Sequence, residues 1–199
     1  MRGFFGIGVE GINKAFNVGS VFRSAHAFGA SFSFTVAASY ERKKGTRSDT
    51  SDAMAQLPFY EFPSIETFTL PKGCALVGVE LDDDAIELPS FRHPSQAAYV
   101  LGSERGGMTA TMLGRCDHII QIPSRFSLNL GIAGVCVMYD RLVSLGRFAP
   151  RPVKPGGPTE ALDPHVRGDQ ILRQKAMEPY RSAPPLAEVE ASLADERDD

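Results

Sequence analysis

LGSERGG at 101–107 and SLNLGIAG at 127–134 are the stretches whose reading decides this chain. Each sets a bend rich in Gly, Ser and Asn beside an apolar run, VL at 100–101 for the first and HIIQI at 118–122 for the second. Glycine permits backbone angles and close approaches that a Cβ forbids, so two such bends at the carboxyl ends of strands bring main chain up to a ligand. The lead-in to the second bend, IPSRF at 122–126, is short.

The surrounding chain supplies the frame. FFGIGV at 4–9 predicts a strand, NVGSVFRSAHAFG at 17–29 a helix opened by Asn17 and stopped by Gly29, and SFSFTVAA at 31–38 a second strand. FYEF at 59–62 precedes a turn of helix expected over 64–69, and CALVGVEL at 74–81 reads as another strand. A strand at 98–102, a helix at 109–115, a strand at 118–122 and a long helix at 128–145 complete the core. Strands alternating with helices predict an α/β fold, a parallel sheet flanked by helices. In the long helix Leu128, Ile132, Val135 and Tyr139 recur at helical spacing and predict its buried face.

At 199 residues and 43% hydrophobic content the chain can bury one core. We expect that core in a domain over 1–146, followed by a flexible tail over 147–199 rich in Pro, Gly and charge, with one short helix near 169–177. Basic and acidic side chains balance through residue 150, so the net charge of −3 falls beyond it. A neutral body requires any nucleic-acid contact to be a local patch, and Arg42, Lys43, Lys44 and Arg47 form one. Cys74, Cys116 and Cys136 are odd in number and lie in apolar surroundings, as thiols of a reducing cytoplasm do. Neither a secretory signal nor a membrane span is expected.

Other chemistries fit less well. Gly6, Gly8 and Gly11 make a G-x-G-x-x-G after a strand, with Glu41 beyond a second strand, the outline of an NAD-type oxidoreductase. The helix does not begin at the third glycine, and Glu41 lies 30 residues after Gly11 where about 20 is usual. Asp82, Asp83 and Asp84 read as a solvated turn, and the four histidines show no ligand spacing, so no metal is expected.

Taken in order, NVGSVFRSAHAFG, LGSERGGMT and IP…SLNLGIAG resemble the three motifs of the SpoU (TrmH-like) class of RNA 2'-O-ribose methyltransferases in the SPOUT superfamily. The resemblance covers roughly residues 3–146. It implies a parallel α/β domain with a C-terminal trefoil knot, an S-adenosylmethionine cofactor, an RNA substrate with tRNA favoured over rRNA, and a homodimer. The knot rests on the resemblance alone, since general topology rules disfavour one.

Residue by residue, the resemblance implies that backbone at Gly102, Ile122 and Leu128 reads the purine and ribose. Leu101, Ser103 and Gly106 belong to the same bend, Ser127, Asn129 and Ala133 line the start of the long helix, and Val79 or Gly78 closes the pocket. Arg23 is the reactive-centre candidate, with Asn17 and Glu104 orienting it and with Ser127 and Asn129 beside the reacting groups. Arginine stays protonated at working pH, so Arg23 is expected to hold phosphate and stabilise alkoxide charge rather than to take a proton. Two features depart from the family pattern: only Ser124, Arg125 and Phe126 separate IP from SLN, and Gly131 stands where a small polar residue is common. The motifs begin near Met1, which leaves RNA recognition to the domain, the tail or a second subunit. Two other readings stay open, the dinucleotide-dependent oxidoreductase and a catalytically silent RNA-binding SPOUT domain.

Overall fold

A computed structural model describes residues 3–13, 15–39, 57–104, 106–149, 151–152 and 155–157. The basic segment 42–47, Glu41 and the tail helix expected near 169–177 lie outside the described residues. The chain divides into two units, Met1–Phe148 and Ala149–Asp199.

The first unit runs β1 (Phe4–Glu10), α1 (Ala15–Ala27), β2 (Phe32–Val36), β3 (Phe59–Phe62), β4 (Ala75–Val79), β5 (Ile86–Glu87), a 3-10 turn at Leu88–Ser90, β6 (Gln96–Leu101), α2 (Ala110–Leu113), β7 (His118–Gln121) and α3 (Leu130–Leu145). Among the described residues seven strands form one sheet in the order β3-β2-β1-β6-β4-β7-β5, with every pairing parallel. FYEF is therefore an edge strand beside β2. The segment 64–69 is a turn, not helix: Thr67 Oγ1 donates to Ser64 O at 2.8 Å and accepts from Ser64 N, a local alternative to helical bonding.

The central strands are buried on both faces, as parallel strands covered by layers on each side must be. On one face Phe5, Ile7, Val9, Val77, Tyr99 and Ile120 pack against Val18, Val21 and Phe22 of α1 and Val137 and Met138 of α3. On the other, Phe32, Phe34 and Val36 join Phe68, Val100, Met108 and Met112. Gly6 and Gly8 sit inside β1, where a Cβ would run into the rings of Phe32 and Phe34. Those two glycines make room for aromatic side chains of β2 and form no phosphate-binding turn. Two glycines of the G-x-G-x-x-G outline have this packing origin, and the third, Gly11, turns the chain after β1 at φ +64°.

The buried face of α3 is Leu130, Gly131, Gly134, Val137, Met138 and Arg141. The expected face is corrected: Ile132 and Tyr139 are 56% and 53% exposed, and Leu128 precedes the helix and is exposed. The helix carries two apolar stripes, and the glycines decide which one turns inward. A Cβ at Gly131 would stand 3.3 Å from Ser20 Cβ of α1, and one at Gly134 would stand 3.4 Å from Ile7 Cδ1. Small residues thus let α3 lie close against α1 and the sheet.

A polar cluster anchors α3 at the amino ends of the strands. The Arg141 guanidinium is fully enclosed and donates to Pro94 O (2.6 Å), Ser95 O (2.9 Å), Phe4 O (3.3 Å) and Tyr99 Oη (3.2 Å). His93 bridges the hydroxyl of Tyr99 at 2.6 Å and the carboxylate of Asp140 at 2.9 Å. Burial holds the His93 pKa below its usual value, against the smaller opposing pull of Asp140, and raises that of the Tyr99 hydroxyl.

Candidate functional site

Parallel strands leave their loops at one end, and open α/β sheets bind ligands outside the carboxyl ends of the strands. Here that end holds a cleft of about 380 Å³, within the range of roughly 300–1,000 Å³ usual for small-molecule sites. Three separate segments line it: Val79–Leu81 past β4, Leu101–Glu104 with Gly107 past β6, and Ile122, Ser124 and Ser127–Leu130 past β7, with Ala133 one turn into α3.

The loop after β6 is a tight reversal. Ser103 and Gly107 exchange both backbone hydrogen bonds, at 3.1 and 2.9 Å, and Gly107 adopts φ +64°. At the carboxyl end of this loop Thr109 caps α2 by accepting Met112 N–H. Glu104, at the turn, uses one oxygen twice: Oε1 accepts from Asn17 Nδ2 at 2.6 Å and from Asn129 Nδ2 at 2.9 Å. Asn129 has a second task, since its Oδ1 accepts Gly131 N–H at 3.0 Å and caps α3. In the short lead-in the Ser124 hydroxyl sits between the carbonyls of Ile122 (3.2 Å) and Phe126 (2.9 Å), and its O–H serves either. The brevity of IPSRF is thus matched by a side-chain brace.

Most residues expected at a cofactor site meet here. Val79, Leu101, Gly102, Ser103, Ile122, Ser127, Leu128, Asn129 and Ala133 all line the cleft, as does Glu104, expected at the reactive centre. Gly78 faces the other side of the sheet, where a Cβ would meet Met108 Cε at 2.8 Å, and Gly106 is exposed at the turn. Neither lines the cleft. Asn17, expected to open the first helix, lies inside α1 and is buried. It lines a smaller recess with Asn13, Ser103, Glu104 and Leu130. Arg23 lies on the exposed side of α1 and lines neither cavity.

Two lining residues have no signal in the motifs. Glu80 and Leu81 enter the cleft because β4 is the neighbour of both β6 and β7, a fact of sheet order that periodicity does not carry. Among the described residues the lining holds two carboxylates, Glu80 and Glu104, and no lysine or arginine, a set suited to a cationic ligand. Among the described residues no group of three His, Cys, Asp or Glu side chains could hold a metal ion, and no helix is long and apolar enough to cross a membrane.

The fold and cleft define a ligand-binding α/β domain with a parallel sheet. The chain belongs to the SpoU rRNA Methylase family, whose model matches residues 5–139. It is 30% identical over 155 residues to the 23S rRNA (guanosine-2'-O-)-methyltransferase RlmB of Coxiella burnetii, a match covering 72% of this chain and 59% of that protein. The chain thus spans well under two thirds of that relative's length. The AdoMet-bound rRNA methyltransferase of Sinorhizobium meliloti superposes with a TM-score of 0.65 at 18% identity, over 74% of this chain and 59% of that one. A structure concerning the 2-OH methylation of C/U34 on tRNA gives a TM-score of 0.66 at 21% identity, over 73% and 98%. At such identities these two likenesses speak for the fold.

Proposed function

We propose that the chain is an S-adenosylmethionine-dependent methyltransferase acting on a ribose 2'-hydroxyl of RNA. The observation that carries this reading is convergence: nine residues picked from two separate motifs, LGSERGGMT and IP…SLNLGIAG, together with Val79 of β4, line one cleft at the carboxyl ends of the strands. The cleft also suits the cofactor. Gly102, Ile122 and Leu128 line it, the positions expected to offer backbone hydrogen bonds to a purine and ribose, and the field of its two carboxylates favours a cationic cofactor. When bound, the cofactor supplies an electrophilic methyl group.

The residues of the chain do the rest. Glu104 holds Asn17 and Asn129, and through them ties α1 to the start of α3. Arg23, on the same helix as Asn17, takes a phosphate next to the target ribose and stabilises negative charge developing on its oxygen. A ribose hydroxyl is a weak nucleophile, so its proton passes to phosphate, water or Glu104 as the bond to carbon forms.

The exposed stripe of Ile132, Tyr139 and Val143 on α3 supports a homodimer, in which Arg23 of one copy serves the cleft of the other. We put tRNA first as substrate and rRNA second; the relative named above is a 23S rRNA methyltransferase, and one structural neighbour concerns methylation of tRNA. The test is transfer of labelled methyl from S-adenosylmethionine into total tRNA and total rRNA, followed by mapping of the labelled nucleotide. Arg23→Ala abolishes transfer while cofactor affinity stays within about threefold, as expected of a group that acts on the nucleophile. Unchanged turnover in that variant overturns the role of Arg23.

A further inference from the structure

Gly107 of LGSERGG makes room for a carboxylate that lies outside the motif, and Gly102 lies against the same group. Because β6 sits between β1 and β4, the loop leaving β6 passes between Glu10, the last residue of β1, and Glu80, just past β4. Both side chains turn onto its return arm. Glu80 Oε2 accepts Met108 N–H at 2.8 Å, and its Oε1 accepts Leu81 N–H at 3.0 Å. Glu10, 2% exposed, accepts the Thr109 N–H at 2.9 Å and the Thr109 hydroxyl at 2.6 Å. A Cβ at Gly102 would stand 2.3 Å from the backbone of Gly107 and Met108 and 2.8 Å from Glu80 Oε2, and one at Gly107 would stand 2.6 Å from Glu80 Oε2. Gly107 therefore leaves the space that the Glu80 carboxylate fills, and Gly102 lets the return arm of the loop and that carboxylate pack against its bare Cα.

We infer that Glu80 is a positioning residue of the cleft: it sets the Gly102–Met108 loop so that the Gly102 backbone and the Glu104 carboxylate face a bound ligand. The affinity consequence rests on the cofactor reading above; the loop conformation does not. Chemistry distinguishes the two tethers. Both partners of Glu80 are backbone N–H groups, which cannot become acceptors, so a glutamine there sets an NH₂ against an N–H. The Thr109 hydroxyl can rotate and accept from a glutamine at position 10 while keeping its cap on Met112 N–H.

The experiment uses the full chain as wild type, Glu80→Gln and Glu10→Gln, with two readouts. Amide hydrogen exchange of the ligand-free proteins reports on Gly107 and Met108, with β1 and β2 amides as the reference for intact folding. Calorimetry with S-adenosylmethionine reports affinity. In Glu80→Gln we expect exchange at Gly107 and Met108 to rise at least about tenfold and cofactor Kd to weaken about tenfold to a hundredfold, from the strength of charge-assisted hydrogen bonds. Glu10→Gln stays within about threefold of wild type in both, since its acceptor pattern is restored. Unchanged exchange in Glu80→Gln overturns the inference even if affinity falls, because the carboxylate would then act on the ligand directly. Equal effects of the two variants overturn it as well. A wild type that does not bind S-adenosylmethionine defeats the functional reading, while the exchange comparison still decides the role of Glu80.

Discussion

Replacing Arg141 by Met keeps much of the aliphatic stem but removes a guanidinium that reaches four oxygens. The carbonyls of Pro94 and Ser95, bonded at 2.6 and 2.9 Å, lose the donors that satisfy them, while the contacts to Phe4 O and Tyr99 Oη at 3.3 and 3.2 Å are weaker. Two orphaned carbonyls cost about 1–3 kcal/mol each. Against this, Met needs no charge desolvation and removes the Arg141 Nε, which has no partner. The net loss is about 3 kcal/mol, at the lower edge of the range for breaking a buried charged interaction. In a unit of this size that lowers Tm by roughly 6–12 °C. Urea unfolding of the full chain should show a lower midpoint with an unchanged m value. Cofactor affinity should hold, because Arg141 lies about 18 Å along α3 from the Asn129 cap. A loss below about 1 kcal/mol at constant m refutes the view that this cluster fixes α3.

Three further outcomes are expected. The lowered His93 pKa means that the folded state resists a proton the unfolded chain accepts. Stability is then full above the unfolded value and falls as pH drops through it, with a slope of at most about 1.4 kcal/mol per pH unit; urea midpoints from pH 7.5 to 5 check this, and His93→Asn flattens the curve. Asn129→Ser keeps an α3 cap, so stability stays within about 0.5 kcal/mol, yet methyl transfer falls at least about tenfold because Glu104 loses a donor; Asn129→Ala loses both, and equal transfer by wild type and Asn129→Ser defeats the point. Thr35 is fully buried with its hydroxyl unpartnered, so Thr35→Val stabilises by about 1 kcal/mol, measured by the thermal midpoint.

The sheet was legible where strands are short, apolar and bounded by Gly, Asp or Pro, as at 4–9, 74–81 and 118–122. Convergence of the cleft residues was legible through the family motifs, which fix spacing across distant loops. The orientation of α3 was not: Leu128, Ile132, Val135 and Tyr139 obey helical spacing as well as the buried set does. What turns the helix is the absence of side chains at Gly131 and Gly134, which periodicity scores as nothing. Arg141 reads as a surface charge until its four oxygen partners are seen. Glu80 escaped for a different reason, since its role depends on β4 lying next to β6, and strand order is not written in local pattern.

Glu104 Oε1 is shared by α1 and α3, and that sharing has a thermodynamic corollary. The oxygen has two lone pairs, and both already point to asparagine amides. A ligand that draws Glu104 toward the cleft must strain its bond to Asn17, and a ligand that shifts α1 must strain its bond to Asn129. Coupling of this kind is reciprocal: whatever factor the occupant of the cleft imposes on affinity at α1, the occupant of α1 returns to the cleft. Occupants of the cleft and of α1 would therefore sense each other before they touch.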